Sequence, residues 1–146
     1  MKALSGYAEW FWLIAKNWKD VENRPWPLTY KIRRELLPYR FYLHASKTKT
    51  PHDEINFIIS HLSSEQLGEF MNIDWSKYRG AIIGEATAVD EIRPGHVRMT
   101  PPSIWQFGPY SFLVRDGVLF ETPVPYRGQL GFFEVNLPEG TNVNSK

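Results

Sequence analysis

Cysteine is absent from this chain of 146 residues, so no disulfide can staple it and no thiolate can hold a metal. The expectation is a domain held by packing in the reducing cytoplasm. Long apolar runs are missing too. None approaches the roughly 20 residues that span a bilayer, and Lys2, Glu9 and Lys16 interrupt any signal-peptide core. Membrane insertion and secretion are not expected. Histidine is scarce: His44, His52, His61 and His96 lie far apart and lack metal-ligand spacing. There is no glycine-rich phosphate loop, nucleophile-elbow serine, His-Glu-x-x-His zinc helix or calcium loop. Neither a metal nor a cofactor is expected, and no repeat or low-complexity segment divides the chain.

A strong charge of one sign is also lacking, but the net +1 hides an asymmetry. Residues 16–49 carry nine Lys or Arg against three Asp or Glu, a balance of +6, whereas residues 50–146 carry seven against twelve, a balance of −5. Such polarity can give one basic face able to meet phosphate, or simply a mixed solvated surface. Much of the basic excess lies in residues 28–40, with Lys31, Arg33, Arg34 and Arg40.

Aromatic residues are plentiful. Between Tyr7 and Trp18, Trp10, Leu13, Ile14 and Trp18 recur at helical spacing, with Trp12 off that stripe, so an amphipathic helix ending near Asn17 is expected. Met1–Ser5 reads as a strand before it, and Asp20–Arg24 as a strand after it, stopped by Pro25 and Pro27. Phe41–Ser46 reads as a buried strand. Helices follow from Thr50-Pro51 through His61, and again with Ser64 as cap and Leu67 and Phe70 inward. From Gly80 the period becomes that of strands, with Asp116-Gly117 read as a hairpin turn and Gly128–Val135 as a closing strand. The pattern predicts an α+β fold, a small mixed or antiparallel β-barrel with flanking helices, in one domain over residues 1–137 with a loose tail at 138–146.

The candidate site is the charged stretch Lys19-Asp20-Val21-Glu22-Asn23-Arg24, set among Trp10, Trp12, Trp18 and Trp26. It is either a solvated turn or the floor of a polar site in an apolar cleft. Strand alternation puts Lys19 and Asn23 on one face and Glu22 and Arg24 on the other, so Lys19 and Glu22 meet only if the chain turns between them. An ammonium desolvated between tryptophans becomes a better base or nucleophile, and a neighbouring carboxylate can shuttle protons. The same groups can read a flat heterocycle, with Arg and Asn donating directionally and Trp10 or Trp26 stacking. His44, Ser46 and Lys47, at a strand end, are further candidates for a cleft. Glu85, odd on its apolar strand face, is either a rim residue or a paired, partly buried carboxylate.

Trp10 through Trp26, reading WFWLIAKNWKDVENRPW, resembles the signature of ASCH domains, relatives of the PUA RNA-binding fold. Leu13-Ile14, Lys19, Glu22, Asn23, Arg24 and Trp26 fit; Glu9-Trp10-Phe11 replaces the family's Pro-Trp-Ala. His44-Ala45-Ser46-Lys47, Gly80–Ala86, Trp105–Tyr110, Pro123-Val124-Pro125 and Gly128–Phe133 follow as further landmarks in order. The stretch Leu28–Tyr39 is longer than the family's link.

The resemblance implies a PUA-like barrel with a helix over one side and a cleft between them lined by the Lys-Glu-Asn-Arg motif. It implies binding of RNA or of a modified nucleobase or nucleoside. Some relatives hydrolyse N4-acetylcytidine with a Lys, a Thr and a Glu, and others are ribonucleases. Lys19 corresponds to the catalytic lysine, while Glu22 stands where the hydrolases have threonine. The expected function is therefore a nucleobase-binding or RNA-binding module. The alternatives are a hydrolase using Lys19 and Glu22, and a protein-interaction domain.

Overall fold

The helical and strand periods translate into an α+β fold in a computed structural model that describes residues 1–94 and 103–137. Strand β1 (Lys2–Gly6) leads into helix α1 (Ala8–Ala15), then β2 (Val21–Arg24), β3 (Tyr39–Ala45), α2 (His52–His61), α3 (Ser64–Met71), β4 (Ala81–Ile92), β5 (Tyr110–Pro125) and β6 (Phe132–Glu134). The tail expected at 138–146 and the Pro101-Pro102 turn lie outside the described residues.

The six strands form one mixed sheet in the order β2-β5-β4-β3-β1-β6. β1 runs parallel to β3, and the other neighbours are antiparallel. The sheet curls into a half-barrel. Three strands separate β2 from β1 in the order, yet Arg24 Nη2 donates to the Ser5 carbonyl at 2.8 Å. Trp26, just past β2, meets Phe132 of the opposite edge strand with ring centroids 6.2 Å apart.

Helix α1 packs on β3, β4 and β5. It is shorter than expected and buried on every face: each residue from Ala8 to Ala15 is buried. Trp12, expected off the inward stripe, is 1 % exposed. Its outer side is covered edge-on by Trp18, Phe70 and Trp75, so residues distant in sequence bury a face that periodicity alone assigns to water. α3 is capped by Ser63 rather than Ser64. Ser63 Oγ accepts from the Gln66 amide, and Gln66 reaches back to the Ser63 amide, a reciprocal capping box.

The Asp116-Gly117 pair does not make a hairpin. β5 runs unbroken from Tyr110 to Pro125 and pairs with β4 on both sides of it, with a register shift between Glu85 and Thr87. The local signal was real, since Asp116 has φ of 55°, but an uninterrupted partner strand turns the kink into a bulge. The bulge serves α1: a Cβ at Gly117 would lie 2.2 Å from the Ile14 carbonyl oxygen. Asn17 grips both polar groups of Gly117, donating to its carbonyl at 2.9 Å and accepting from its amide at 2.7 Å. At the chain's other end only Phe132–Glu134 pairs as a strand, leaving Gly128–Gly131 as a loop with Leu130 fully exposed.

The basic insertion is anchored rather than loose. Leu28 and Ile32 are buried, and the Thr29 amide and hydroxyl donate to the two oxygens of Glu91 at 3.1 and 3.0 Å. Arg34 and Arg93 also reach Glu91, at 3.4 and 2.6 Å. Burial would raise the Glu91 pKa, but the Thr29 and Arg93 donors outweigh it and hold the carboxyl below its ordinary value.

Candidate ligand cleft

The end of α1 builds the site. Asn17 takes a left-handed conformation with φ of 62°, and the Trp18 and Lys19 amides both return to the Leu13 carbonyl, at 2.9 and 3.2 Å. Lys19 therefore sits in a tight turn, two residues before β2 begins. Strand alternation does not govern it, so it meets Glu22 with Nζ to Oε1 at 3.4 Å.

Glu22 joins two cations. Its Oε2 accepts from Arg24 Nε at 3.0 Å and lies 2.8 Å from Nη2. Lys19 and Glu22 are 3 % and 6 % exposed, so this pair is nearly dry, while Arg24 stays partly exposed at the cavity. The Lys19 ammonium also lies 4.9 Å from the centroid of the Trp10 ring. Burial pushes the Lys19 pKa below its ordinary value; Glu22 opposes the shift and Arg24 adds to it. One carboxylate against two cations leaves the cluster with a formal charge of +1. Among the described residues Arg24 Nη1 has no hydrogen-bond partner.

The triad faces a cavity of about 420 Å³ between α1, the start of α2 and the 129–131 loop. Trp10 and Phe107 touch at 5.9 Å, tilted by 58°, and make one continuous aromatic wall. Glu54 from the first turn of α2 reaches this wall, where its Oε1 accepts from Trp10 Nε1 at 2.8 Å. Ser46, Thr48 and Gln129 add neutral polar groups.

Of the residues singled out from sequence, Trp10, Lys19, Glu22, Asn23, Arg24 and Ser46 line this cavity. Asn23 is already committed: Nδ2 donates to the Trp105 carbonyl at 2.9 Å, and Oδ1 accepts from the Phe107 amide at 3.0 Å and Ser111 Oγ at 2.8 Å. It holds the segment that carries Phe107. Trp26 does not line the cavity; it stacks on Phe112 and backs Arg24, 5.7 Å from the guanidinium carbon.

His44 and Lys47 line a neighbouring cavity. His44 is 2 % exposed, with Nε2 2.7 Å from the Tyr126 carbonyl and Nδ1 3.0 Å from Ser5 Oγ. A carbonyl only accepts, so Nε2 carries the proton and the serine hydroxyl donates to Nδ1. Burial lowers the His44 pKa, with the Tyr126 carbonyl opposing. Glu85 lies away from both cavities, paired with Arg40 at 2.7 Å. Among the described residues no group of three His, Asp or Glu could hold a metal ion, and no helix is long and apolar enough to cross a membrane.

Sequence reasoning missed Ser5, Glu54, Phe107 and Gln129 as lining residues. Glu54 is legible only as a first-turn acid suited to the helix dipole. The others stand in no motif whose chemistry announces a ligand.

Neither a scan against protein-family models nor a search of curated proteins finds a match to this chain.

Proposed function

We propose that this chain is an ASCH-type, PUA-like domain whose cleft recognises a nucleobase, presented in RNA or as a modified nucleoside. The observation that carries the reading is the Lys19–Glu22–Arg24 triad, with Lys19 and Glu22 buried and Arg24 partly open, at the floor of a cavity walled by Trp10 and Phe107. Aromatic faces bind the π-surface of a base without sequence preference, and charged donors fixed by a carboxylate read its edge. The ordered landmarks of the sequence and the curled sheet with α1 laid across it support the family reading. A cytoplasmic setting belongs to the same proposal and rests on the lack of cysteine.

Titration with the ribonucleosides, N4-acetylcytidine and short single-stranded RNA at low salt tests it. Saturable binding that is weakened about tenfold or more by Arg24→Ala is the expected result, since hydrogen bonds from charged groups carry that much. Absence of saturable binding, or indifference to Arg24→Ala, overturns it.

One observation favours a second reading, hydrolysis of an acylated base. The Lys19 amine has a lowered pKa and lies beside Glu22, an arrangement suited to moving a proton between water and a leaving amine. Deacetylation of N4-acetylcytidine by the wild type and not by Lys19→Ala is the expected outcome under this reading. Equal product from both proteins removes it.

A further inference from the structure

The neighbouring cavity, of about 940 Å³, shares Ser5, Ser46, Gln129 and Leu130 with the first. The two spaces therefore adjoin. The second is built by the sheet itself. β3, β4 and β5 are antiparallel neighbours, so the end of β3, the start of β4 and the end of β5 fall at one edge. The Gly80 amide donates to the Ala45 carbonyl at 2.7 Å, and the Tyr126 amide to the Gly80 carbonyl at 3.0 Å, which fixes these ends together. Lys47, Arg79 and Arg127 each lie two residues beyond a strand end there, and all three line the cavity.

No aspartate or glutamate lines the same space. Among the described residues Lys47 and Arg127 have no carboxylate partner. The Lys47 stem lies across Gly80, where an added Cβ would come within 3.0 Å of its Cε. Arg79 is partly neutralised by Glu9, 3.4 Å from Nη2, but its Nε is buried with no hydrogen-bond partner. His44 adds no charge, because both ring nitrogens are engaged in the neutral form. Three cations thus line an adjoining space whose lining holds no anion, and only Arg79 is partly offset, by Glu9. Such a cluster focuses potential on an anionic group, and arginine and lysine together suit a phosphate better than a carboxylate-free, neutral ligand.

We propose that this second cavity receives the phosphate carried by a nucleoside whose base occupies the first, so that the ligand is a nucleotide or an RNA strand rather than a free nucleoside. The inference rests on the nucleobase reading of the first cavity. The Ser5–Ser46 boundary is where the sugar crosses from one space to the other.

The test compares each ribonucleoside, its 3′- and 5′-monophosphates and a single-stranded tetranucleotide, with wild type and with the Lys47→Ala/Arg127→Ala double variant. Both substituted side chains are exposed, and a thermal melt of the variant beside the wild type checks that it folds. In the wild type a phosphate raises affinity about tenfold over the bare nucleoside. In the variant that ratio falls toward one, and the salt slope of the phosphate-bearing ligand becomes shallower by up to about 1.4, from two lost cations. A gain already complete with a monophosphate assigns a nucleotide ligand; a further gain with the tetranucleotide assigns a strand. Nucleoside binding without any phosphate gain, or a gain that the variant retains, overturns this inference while leaving the nucleobase pocket standing. If neither nucleosides nor RNA bind the wild type, both proposals fall.

Discussion

Lys19 holds its ammonium 4.9 Å from the centre of the Trp10 ring, in a position from which water is almost excluded. The folded pKa is lowered, so between that value and the ordinary 10.5 the unfolded chain binds more protons and stability rises with pH. The charged form is therefore the one that burial penalises. Lys19→Met keeps an apolar stem against Trp10 and leaves Glu22 paired with Arg24. We expect the melting temperature to rise by about 3 °C, as a gain of about 1 kcal/mol would give, while ligand binding falls. Calorimetry at neutral and alkaline pH measures the first, and the alkaline rise in stability should shrink in the variant.

Glu22→Gln removes the one carboxylate that balances the buried Lys19 and the partly buried Arg24. A loss of about 3 kcal/mol is expected in urea denaturation, the usual scale for breaking a buried ion pair. Combining it with Lys19→Met should recover part of that loss, because the second substitution removes one of the stranded charges. Strict additivity of the two effects would contradict the triad.

His44 is buried neutral, with its pKa pushed down by burial. Its contribution is complete above the unfolded value of about 6.5 and is lost as pH falls below that value, because the unfolded chain then takes the proton first. Denaturation midpoints should drop between about pH 7.5 and about pH 5, and His44→Asn should drop less. An imidazole that titrates by NMR above the ordinary value would contradict the arrangement with Tyr126 and Ser5.

Two glycine substitutions should act with opposite sign. At Gly117 a methyl group would meet the Ile14 carbonyl at 2.2 Å and the Ala15 carbonyl at 3.0 Å, both backbone, so Gly117→Ala should cost about 3 kcal/mol or more. Gly68, inside α3, has nothing within 4 Å of an added Cβ. Gly68→Ala should stabilise by about 0.5–1 kcal/mol. Chemical denaturation of the pair reads both.

The α+β class and the helix–turn–strand carrying Lys19 to Arg24 were legible because they are local: period, a helix stop at Asn17 and two prolines suffice. The outer burial of Trp12 was not, because Phe70 and Trp75 lie some sixty residues away and periodicity sees one helix at a time. Asp116-Gly117 shows the same limit in a strand. The dipeptide fixes a left-handed residue, and only the path of β4 decides whether the result is a turn or a bulge. Within the site, Lys19, Glu22 and Arg24 announce themselves as charges among tryptophans. Glu54 and Phe107 do not, since their place in the cleft depends on α2 and on Asn23 gripping residues 105–111.

The absence of any exposed face on α1 has a consequence for how this cleft can diversify. Trp10 and Phe11 border the ligand space and belong to the hydrophobic core at once, so a change of wall there is also a change of foundation. The facing side, Gln129 to Gly131, holds no such double role: Leu130 is fully exposed and no strand pairing constrains it. Variation in ligand preference is cheapest on that loop, and a library randomised at Gln129 and Leu130, with Gly131 kept for its φ of 66°, should yield folded proteins of altered affinity far more often than one randomised at Trp10 and Phe11.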